Sequence, residues 1–274
     1  MFELRPDVVV SPRDTVDVQK IVSYVTKNKK KNPALAITAR SAGTDMSGAA
    51  IGESIVLNMK RYFTEIISVS HTAAQVQPGV FYRDFEPATL RHDALLPSFP
   101  ASRDLCTVGG MVANNSGGEK SLQFGKTEDY VTSLKVVFAD GKEYTVKPLS
   151  KKELDKKRKQ KDFEGRVYRE VFELVDTHYD EIKAAKPKVS KDSTGYHLWN
   201  IWDRKTGVFD LTQAIVGSQG TLGVVTNIDF RLIPAPKNSG TLVIFVKKTK
   251  HLGNIINDTL KHDPATFEGF DNHT

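Results

Sequence analysis

Glycines at the ends of apolar runs are the feature that most constrains the fold of this chain. They lie in four separate loops, at Gly43 and Gly48, at Gly79, from Gly109 to Gly118, and from Gly217 to Gly223. Because glycine has no side chain, backbone amides in such loops can approach an anionic ligand closely. In the first loop, TARSAGTDMSG at residues 38–48, almost every side chain is short. The glycine loops therefore indicate contact with an anionic ligand.

Two common nucleotide-binding patterns are missing from the sequence. A P-loop requires GxxxxGK[ST], and a Rossmann fold requires GxGxxG between a strand and a helix; neither is present. The sequence therefore disfavours both folds.

The beginning of the chain has the pattern of a β-α-β unit. Residues 8–10 read as a strand, Asp14 is placed to cap a helix with apolar residues at helical spacing, and residues 34–39 read as a second strand. Short strands are then predicted at 54–58, 65–69 and 74–77.

The rest of the chain alternates between predicted strands and helices. A helix is predicted at 81–91, where Pro87 must shorten or bend it. Residues 131–139 and 142–146 form a predicted hairpin around Asp140 and Gly141. We expect an exposed charged insertion at 147–165, a helix at 165–176, and strands at 214–218 and 223–232.

Composition excludes several classes of protein. The 274 residues carry 39 Lys and Arg against 33 Asp and Glu, but the basic runs lack interleaved aromatic residues, so we predict no nucleic-acid partner. A single cysteine, Cys106, excludes an internal disulfide framework and multi-cysteine metal sites. No apolar run approaches the ~20 residues of a membrane span, and the N-terminus lacks a signal-peptide pattern. We expect a cytoplasmic protein without a transmembrane segment.

Four segments together resemble one family. We call them the first segment (39–48), the second segment (100–118), the third segment (191–196, KDSTGY) and the fourth segment (216–225, VGSQGTLGVV). They resemble, in order, the vanillyl-alcohol oxidase and p-cresol methylhydroxylase (PCMH-type) superfamily of FAD proteins. Within it the chain is most similar to glycolate oxidase flavin subunits and D-lactate dehydrogenases.

The resemblance implies an α+β fold with two lobes that bind FAD between them. It places lobe 1 at residues 1–70, lobe 2 at 71–236 with the charged insertion 147–165, and the start of a truncated cap or substrate domain at 237–274. That last part would be only the first strand and helix of a cap. The remainder of the family enzymes, with a histidine-rich motif, is not in this sequence, so we expect a fragment, a truncated gene product or a split subunit.

The same resemblance implies the FAD-contacting residues. The first segment would wrap the pyrophosphate, the second would pass beneath the flavin and ribityl chain, and the fourth would close over the adenine side, while the third would pack beside the flavin. The implied residues are Arg40, Ser41, Ala42, Gly43, Thr44, Asp45, Ser47, Pro78, Gly79, Ala101, Ser102, Cys106, Thr107, Gly109, Gly110, Asn114, Asn115, Gly117, Gly118, Gly220, Gly223, Val224 and Val225.

Further expectations concern chemistry. Some superfamily members attach FAD covalently through a histidine at the position held here by Thr44, and threonine cannot form that bond, so noncovalent FAD is expected. Cys106 has no acidic or histidine partner nearby in sequence and is interpreted as a small buried residue. The histidines lack metal-ligand spacing, so no metal site is predicted, and no catalytic residue is assigned.

Three functions remain open at this point. The first is the FAD-binding part of an oxidoreductase that oxidises a 2-hydroxy acid such as D-lactate or glycolate by hydride transfer to flavin N5, with weak or no activity without the missing half. The second is a non-catalytic flavin-binding or assembly subunit that docks a partner chain. The third is a basic nucleic-acid binder, which steeply salt-dependent binding would reveal.

Overall fold

A three-stranded parallel sheet forms the first layer of the computed structural model, which describes residues 3–189 and 192–271. Its elements are β1 (Val8–Val10), α1 (Thr15–Asn28), β2 (Ile37–Arg40) and β3 (Ile55–Asn58), with strand order β1-β3-β2. The Asp14 carboxylate caps α1 by accepting a hydrogen bond from the Asp17 amide at 3.0 Å. The predicted β-α-β unit is confirmed. Its second strand begins at Ile37 rather than at residue 34, because the Leu35 amide bonds in a turn to the Asn32 carbonyl.

The later elements follow in chain order. The strands are β4 (Ile66–Val69), β5 (Ala73–Val76), β6 (Ala94–Leu95), β7 (Val131–Val137), β8 (Glu143–Val146), β9 (Trp202–Asp203), β10 (Val208–Phe209), β11 (Val224–Arg231) and β12 (Ile233–Pro234). The helices are α2 (Tyr82–Leu90), α3 (Val108–Ala113), α4 (Ser121–Phe124), α5 (Lys151–Lys159), α6 (Phe163–Thr177), α7 (Tyr179–Ala184), α8 (Thr212–Ile215) and α9 (Leu252–Leu260). Short 3₁₀ helices cover Thr127–Asp129, Leu198–Asn200 and Thr249–His251.

Five antiparallel strands form the second sheet, in the order β4-β5-β11-β7-β8. The predicted hairpin is confirmed as β7 and β8, and Gly141 in its turn has a φ of +79°, a left-handed conformation that favours glycine. The predicted helix at 81–91 is confirmed as α2, which continues through Pro87. Since β4 pairs with β5, residues 66–69 belong to the second sheet although the expected boundary of lobe 1 lies at residue 70.

Two clusters of buried side chains form the core. The larger one packs helices including α2, α3 and α6 against the five-stranded sheet. The smaller one lies between α1 and the three-stranded sheet and includes Val137 from β7 and Val224 from β11. These two valines join the sheets, so the loops that follow β2 and precede β11 are held in one region.

The predicted strand at 214–218 is wrong. Residues 212–215 form the short helix α8, and the Asp210 carboxylate accepts hydrogen bonds from the Thr212 amide and hydroxyl at 3.0 and 2.6 Å. Ala214, Ile215 and Val216 are all buried. A short apolar run that is buried on every side has no period by which a strand can be told from a helix.

The charged segment 147–165 is not simply an exposed insertion. Ser150 and Glu153 form a capping box at the start of α5, and Leu154 on the inner face of that helix is buried. Glu164 is also buried and pairs with Lys157. Most of the other charged side chains of α5 face solvent, so the sequence pattern revealed the outer face and missed the inner one.

The C-terminal part contains the predicted helix but not the predicted strand. Helix α9 covers Leu252–Leu260, whereas the described residues between β12 and α9 contain no strand. Leu242 and Phe245 in this stretch are 80% and 93% exposed. Across residues 3–189 and 192–271, no helix combines the length and apolar character that a bilayer span requires.

Candidate functional site

Three of the four segments defined above meet at one cleft. The residues that line it are Ala39, Ser41, Ala42, Gly43, Thr44, Asp45, Ala49, Ala50, Pro100, Ser102, Cys106, Gly110, Met111, Ala113, Asn114, Ser116 and Gln219. They come from the end of β2 and the loop after it, from the second segment with α3, and from the loop before β11. Residues far apart in sequence therefore share one surface.

The loop after β2 presents free backbone donors beside a cation. Within the described parts of the chain, no group accepts a hydrogen bond from the amides of residues 42–46. Gly43 has a φ of +70°, and a Cβ there would lie 2.4 Å from Nη2 of Arg40. The Arg40 guanidinium thus packs directly against this loop, and its Nη1 donates to the Ala50 carbonyl at 2.7 Å. Unpaired amides next to a guanidinium create a site that favours an anionic group.

The Asp45 carboxylate is turned into its own loop. Its Oδ2 accepts hydrogen bonds from the Ser47 amide at 3.1 Å, the Ser47 hydroxyl at 2.5 Å and the Ala49 amide at 3.4 Å. These bonds fix the turn at 45–49. Asp45 and Ser47 therefore shape the loop rather than supply donors to a ligand.

Gly79 and Gly109 are required for close packing. A Cβ on Gly109 would lie 2.4 Å from Cβ of Pro78 and 2.6 Å from its carbonyl oxygen, and the Gly109 amide donates to that oxygen at 2.9 Å. A Cβ on Gly79 would lie 2.3 Å from the Met59 carbonyl oxygen. Neither glycine lines the cleft.

Gly110 lies where the first and second segments meet in the cleft. Its missing Cβ would be 3.7 Å from Cβ of Ser41 and 3.6 Å from Oγ1 of Thr107, which are ordinary contacts. The Thr107 hydroxyl is buried and has no hydrogen-bond partner in the described structure. A ligand in the cleft could supply an acceptor or donor for it.

The end of the second segment packs against residues that do not line the cleft. A Cβ on Gly118 would lie 2.2 Å from the Phe99 carbonyl oxygen, and one on Gly117 would lie 2.4 Å from Oγ of Ser121. Asn115 is buried and accepts a hydrogen bond from the Glu128 amide at 3.0 Å. Gly117, Gly118 and Asn115 thus support the wall of the cleft.

Cys106 lines the cleft as a buried neutral thiol. It is 3% exposed, which confirms the prediction of a small buried residue. Burial raises the pKa of the thiol to about 11. At neutral pH the sulfur therefore carries its proton and is a poor nucleophile.

The fourth segment contributes one side chain to the cleft. Gln219 lines it, while Gly220 has a φ of +75° and adjoins Cβ of Ala39. A Cβ on Gly223 would lie 2.6 Å from Cγ1 of Val136, so that glycine allows the strands to pack. Val224 and Val225 begin β11 and do not line the cleft.

The third segment lies beside the fourth rather than in the cleft lining. Lys191 is outside the described residues. The Tyr196 hydroxyl lies 2.7 Å from Oγ1 of Thr221. The buried His197 connects Glu128 to the third segment, with Nδ1 2.7 Å from Oε2 of Glu128 and Nε2 3.5 Å from Oδ2 of Asp192. A hydrogen bond from the Thr194 hydroxyl lowers the pKa of Asp192.

The residues predicted from the sequence thus divide into two groups. The cleft lining contains Ser41, Ala42, Gly43, Thr44, Asp45, Ser102, Cys106, Gly110 and Asn114. The remaining predicted residues lie around it: Arg40, Ser47, Pro78, Gly79, Ala101, Thr107, Gly109, Asn115, Gly117, Gly118, Gly220, Gly223, Val224 and Val225.

Eight lining residues were not predicted individually. They are Ala39, Ala49, Ala50, Pro100, Met111, Ala113, Ser116 and Gln219. Ala39 lies within the first segment, Ala49 and Ala50 follow it directly, and the next four lie within the second segment, so extending each prediction by a few neighbours would have included all seven. Gln219 lies between glycines in the fourth segment, where its own signal is a polar side chain in a glycine-rich turn.

Among residues 3–189 and 192–271, no group of three or more His, Cys, Asp or Glu side chains is placed to hold a metal ion.

Comparison with known proteins gives a family match. A family model described as an FAD binding domain matches residues 6–147. Among curated proteins, D-2-hydroxyglutarate dehydrogenase of Escherichia coli K12 is 28% identical over 239 residues, 86% of this chain and 23% of that protein. Glycolate oxidase subunit GlcD of Bacillus subtilis 168 is 27% identical over 278 residues, 100% of this chain and 47% of that protein. D-lactate dehydrogenase of Archaeoglobus fulgidus is 28% identical and covers 86% of this chain and 41% of that protein.

A solved structure of alkyldihydroxyacetonephosphate synthase has a similar fold. The TM-score is 0.61 at 18% sequence identity, over 95% of this chain and 38% of that one. The chain spans between about a quarter and about a half of the length of the curated relatives it matches.

Proposed function

The chain belongs to the FAD-binding domain family, and we propose that it is the FAD-binding part of an oxidoreductase that oxidises a 2-hydroxy acid. The observation that carries the proposal is the cleft, whose lining combines residues of α3 with residues 42–45, a stretch of unpaired amides against which the Arg40 guanidinium packs. FAD bound there would accept a hydride at N5 from the carbon that bears the substrate hydroxyl. The names of the relatives, which act on D-2-hydroxyglutarate, D-lactate or glycolate, suggest the substrate class.

The residues of the cleft have distinct roles in this proposal. The amides of residues 42–46 and the Arg40 guanidinium hold the pyrophosphate, because an anion satisfies their unpaired donors and positive charge. Gly110 leaves space for close approach, and the buried Thr107 hydroxyl next to it is a candidate hydrogen-bonding group. Gly79, Gly109, Gly117 and Gly118 keep the supporting loops close together.

FAD is held without a covalent bond in this proposal. Thr44 occupies the loop position from which a histidine would attack the flavin, and a hydroxyl of this kind does not form that bond. The thiol of Cys106 stays protonated because burial raises its pKa to about 11. The described lining of the cleft contains no histidine or tyrosine that could form a covalent bond to the flavin.

The substrate carboxylate is held by groups outside this cleft. Asp45 is the single charged residue among the described ones that line it, and it has the wrong sign for binding a carboxylate. We therefore propose that this chain alone binds FAD well and oxidises a hydroxy acid slowly. A second chain or a further part of the same protein would supply the missing cation.

Anaerobic reduction of the bound flavin tests the proposal. D-2-Hydroxyglutarate, D-lactate and glycolate are added to the FAD-loaded chain, with free FAD and the L-enantiomers as controls. We expect slow bleaching that is faster on the protein than in free FAD and faster with D-acids. A flavin that no hydroxy acid reduces faster than free FAD would contradict the oxidoreductase assignment. Turnover at about 1 s⁻¹ or more, as in complete enzymes, would contradict the proposed absence of a carboxylate clamp.

A non-catalytic flavin-binding subunit is the second candidate. The exposure of Leu242 and Phe245 favours it, since such apolar side chains suit a protein contact. This candidate predicts that FAD binds while no hydroxy acid reduces it. It also predicts that Leu242→Ser and Phe245→Ser weaken association with a partner chain and leave FAD binding unchanged.

A further inference from the structure

Gln219 has a backbone conformation that normally favours glycine. Its φ is +56°, between Gly217 at +85° and Gly220 at +75°. An L-residue in this left-handed region is strained, and glycine would fit the same backbone without strain. A side chain at a position with a strained backbone indicates that the side chain itself has a role.

The backbone of this loop is fixed to the end of α3. The Gly217 amide donates to the Val112 carbonyl at 2.9 Å, and the Gln219 amide donates to the Ala113 carbonyl at 2.8 Å. Both carbonyls belong to the last turn of α3, and that of Val112 also accepts a hydrogen bond from the Asn115 amide at 3.2 Å. The loop before β11 and the helix beneath the cleft therefore hold each other in place.

The side chain of Gln219 continues this connection into the cleft. Its Nε2 donates to Oδ1 of Asn114 at 2.9 Å, and Nδ2 of Asn114 donates to Oγ of Ser116 at 3.3 Å. All three side chains line the cleft. They form a row of hydrogen bonds from the fourth segment to the part of the second segment that directly follows α3.

We infer that Gln219 is a positioning residue, whose side-chain amide holds Asn114 and Ser116 in the conformation that binds FAD. The inference rests on the proposed function of the cleft. Glycine at this position would preserve both backbone hydrogen bonds and relieve the strain, but it would lose the amide. FAD affinity should therefore fall in Gln219→Gly, whereas stability should not.

Two variants at position 219 separate the effect of the side-chain amide from the effect of the backbone strain. Gln219→Met keeps the side-chain length and removes the amide, and Gln219→Gly also removes the strain. We expect each to weaken FAD binding about 3- to 10-fold, the loss of one or two net hydrogen bonds. The melting temperature of the FAD-free chain should stay nearly unchanged in Gln219→Met and stay equal or rise in Gln219→Gly. FAD affinity is measured by quenching of flavin fluorescence.

Gln75→Met is the matched control. Nε2 of Gln75 donates to Oδ1 of Asp229 at 2.8 Å in the five-stranded sheet, and Gln75 does not line the cleft. This variant loses a hydrogen bond of the same kind and should leave FAD affinity unchanged. A double-mutant cycle with Asn114→Ala completes the test, because Gln219→Met should have little further effect once Asn114 is removed.

The outcomes distinguish this inference from the proposed function. If the wild-type chain binds FAD and both position-219 variants bind it equally well, the role of Gln219 is overturned and the proposed function stands. Additive effects of Gln219→Met and Asn114→Ala would also overturn it. If the folded wild-type chain binds no FAD, both proposals fail together.

Discussion

Gly109 and Gly110 are adjacent in sequence and differ in what surrounds them. A Cβ on Gly109 would overlap the backbone and ring of Pro78, whereas a Cβ on Gly110 would make ordinary contacts with Ser41 and Thr107. Both glycines were predicted to contact the cofactor. The structure places Gly109 in the packing between loops and Gly110 in the cleft lining, and both cofactor contacts stay predictions.

Alanine substitutions should separate these two roles. Gly109→Ala forces an overpacked contact and should lower the free energy of unfolding by about 1 to 3 kcal/mol, measured by urea unfolding. Gly110→Ala lies in a helix, where alanine is better than glycine by up to about 1 kcal/mol, so stability should hold or rise. Its methyl group lies at the cleft, so FAD affinity should fall. Equal stability of the two variants would contradict the assignment.

The buried thiol of Cys106 should make stability depend on pH. Burial raises its pKa to about 11 in the folded chain, while an unfolded cysteine has a pKa of ~8.5. Below the unfolded value both states are protonated, and the stabilising effect of burying the neutral thiol is fully present. Between the two values the unfolded chain releases the proton first, so this contribution falls as pH rises.

Urea unfolding of the wild type and Cys106→Ala across this pH range measures the effect. The difference in unfolding free energy between the two proteins should decrease steadily as pH rises through the range. Other ionisable groups, including the buried tyrosines, are common to both proteins and cancel in the difference. A pH-independent difference would show that the thiol titrates normally in the folded chain.

For single residues, the sequence shows which positions are glycine but does not show what each glycine contacts. A glycine in a loop signals that a side chain is excluded, but not whether a ligand or another loop excludes it. The Pro78 contact of Gly109 joins residues far apart in sequence, so only the fold reveals it. Gln219 was predicted only as part of the fourth segment, because neither its left-handed backbone nor its hydrogen bond to Asn114 can be read from the sequence.

At the scale of elements, α5 shows how a charged segment can carry part of the core. Leu154 is 1% exposed, although its neighbours are Lys, Glu and Asp. A lone apolar residue among charges gives no periodicity, so the sequence predicted only exposure. The hairpin of β7 and β8 was predicted because alternating residues and an Asp-Gly turn agree.

Truncation of Leu154 tests whether α5 is part of the folded core. Leu154→Ala should lower the unfolding free energy by about 2 to 5 kcal/mol, the range for buried leucines. Leu174→Ala, at a position 49% exposed on α6, is the matched control and should change stability by about 0.5 kcal/mol or less. If the two variants have the same stability, α5 does not pack as described.

At the scale of the whole molecule, the α+β class and the PCMH-type resemblance are confirmed. The order of the four segments was informative because several separate loops must contact one cofactor. The position of the segments relative to one another depends on long-range contacts. One example is the packing of Val137 in the smaller core cluster, which no local sequence pattern encodes. The division into two lobes and the start of a cap remains a prediction, as do the individual cofactor contacts.

We propose that the cleft formed by residues 39–50, α3 and Gln219 holds FAD. The most direct test is a titration of the purified, folded chain with FAD, followed by the visible spectrum after removal of unbound flavin and again after denaturation and filtration. We predict one FAD per chain, with the flavin passing through the filter once the protein is denatured. A folded chain that stays colourless at excess FAD would contradict the claim, and flavin retained on the denatured protein would contradict the noncovalent attachment.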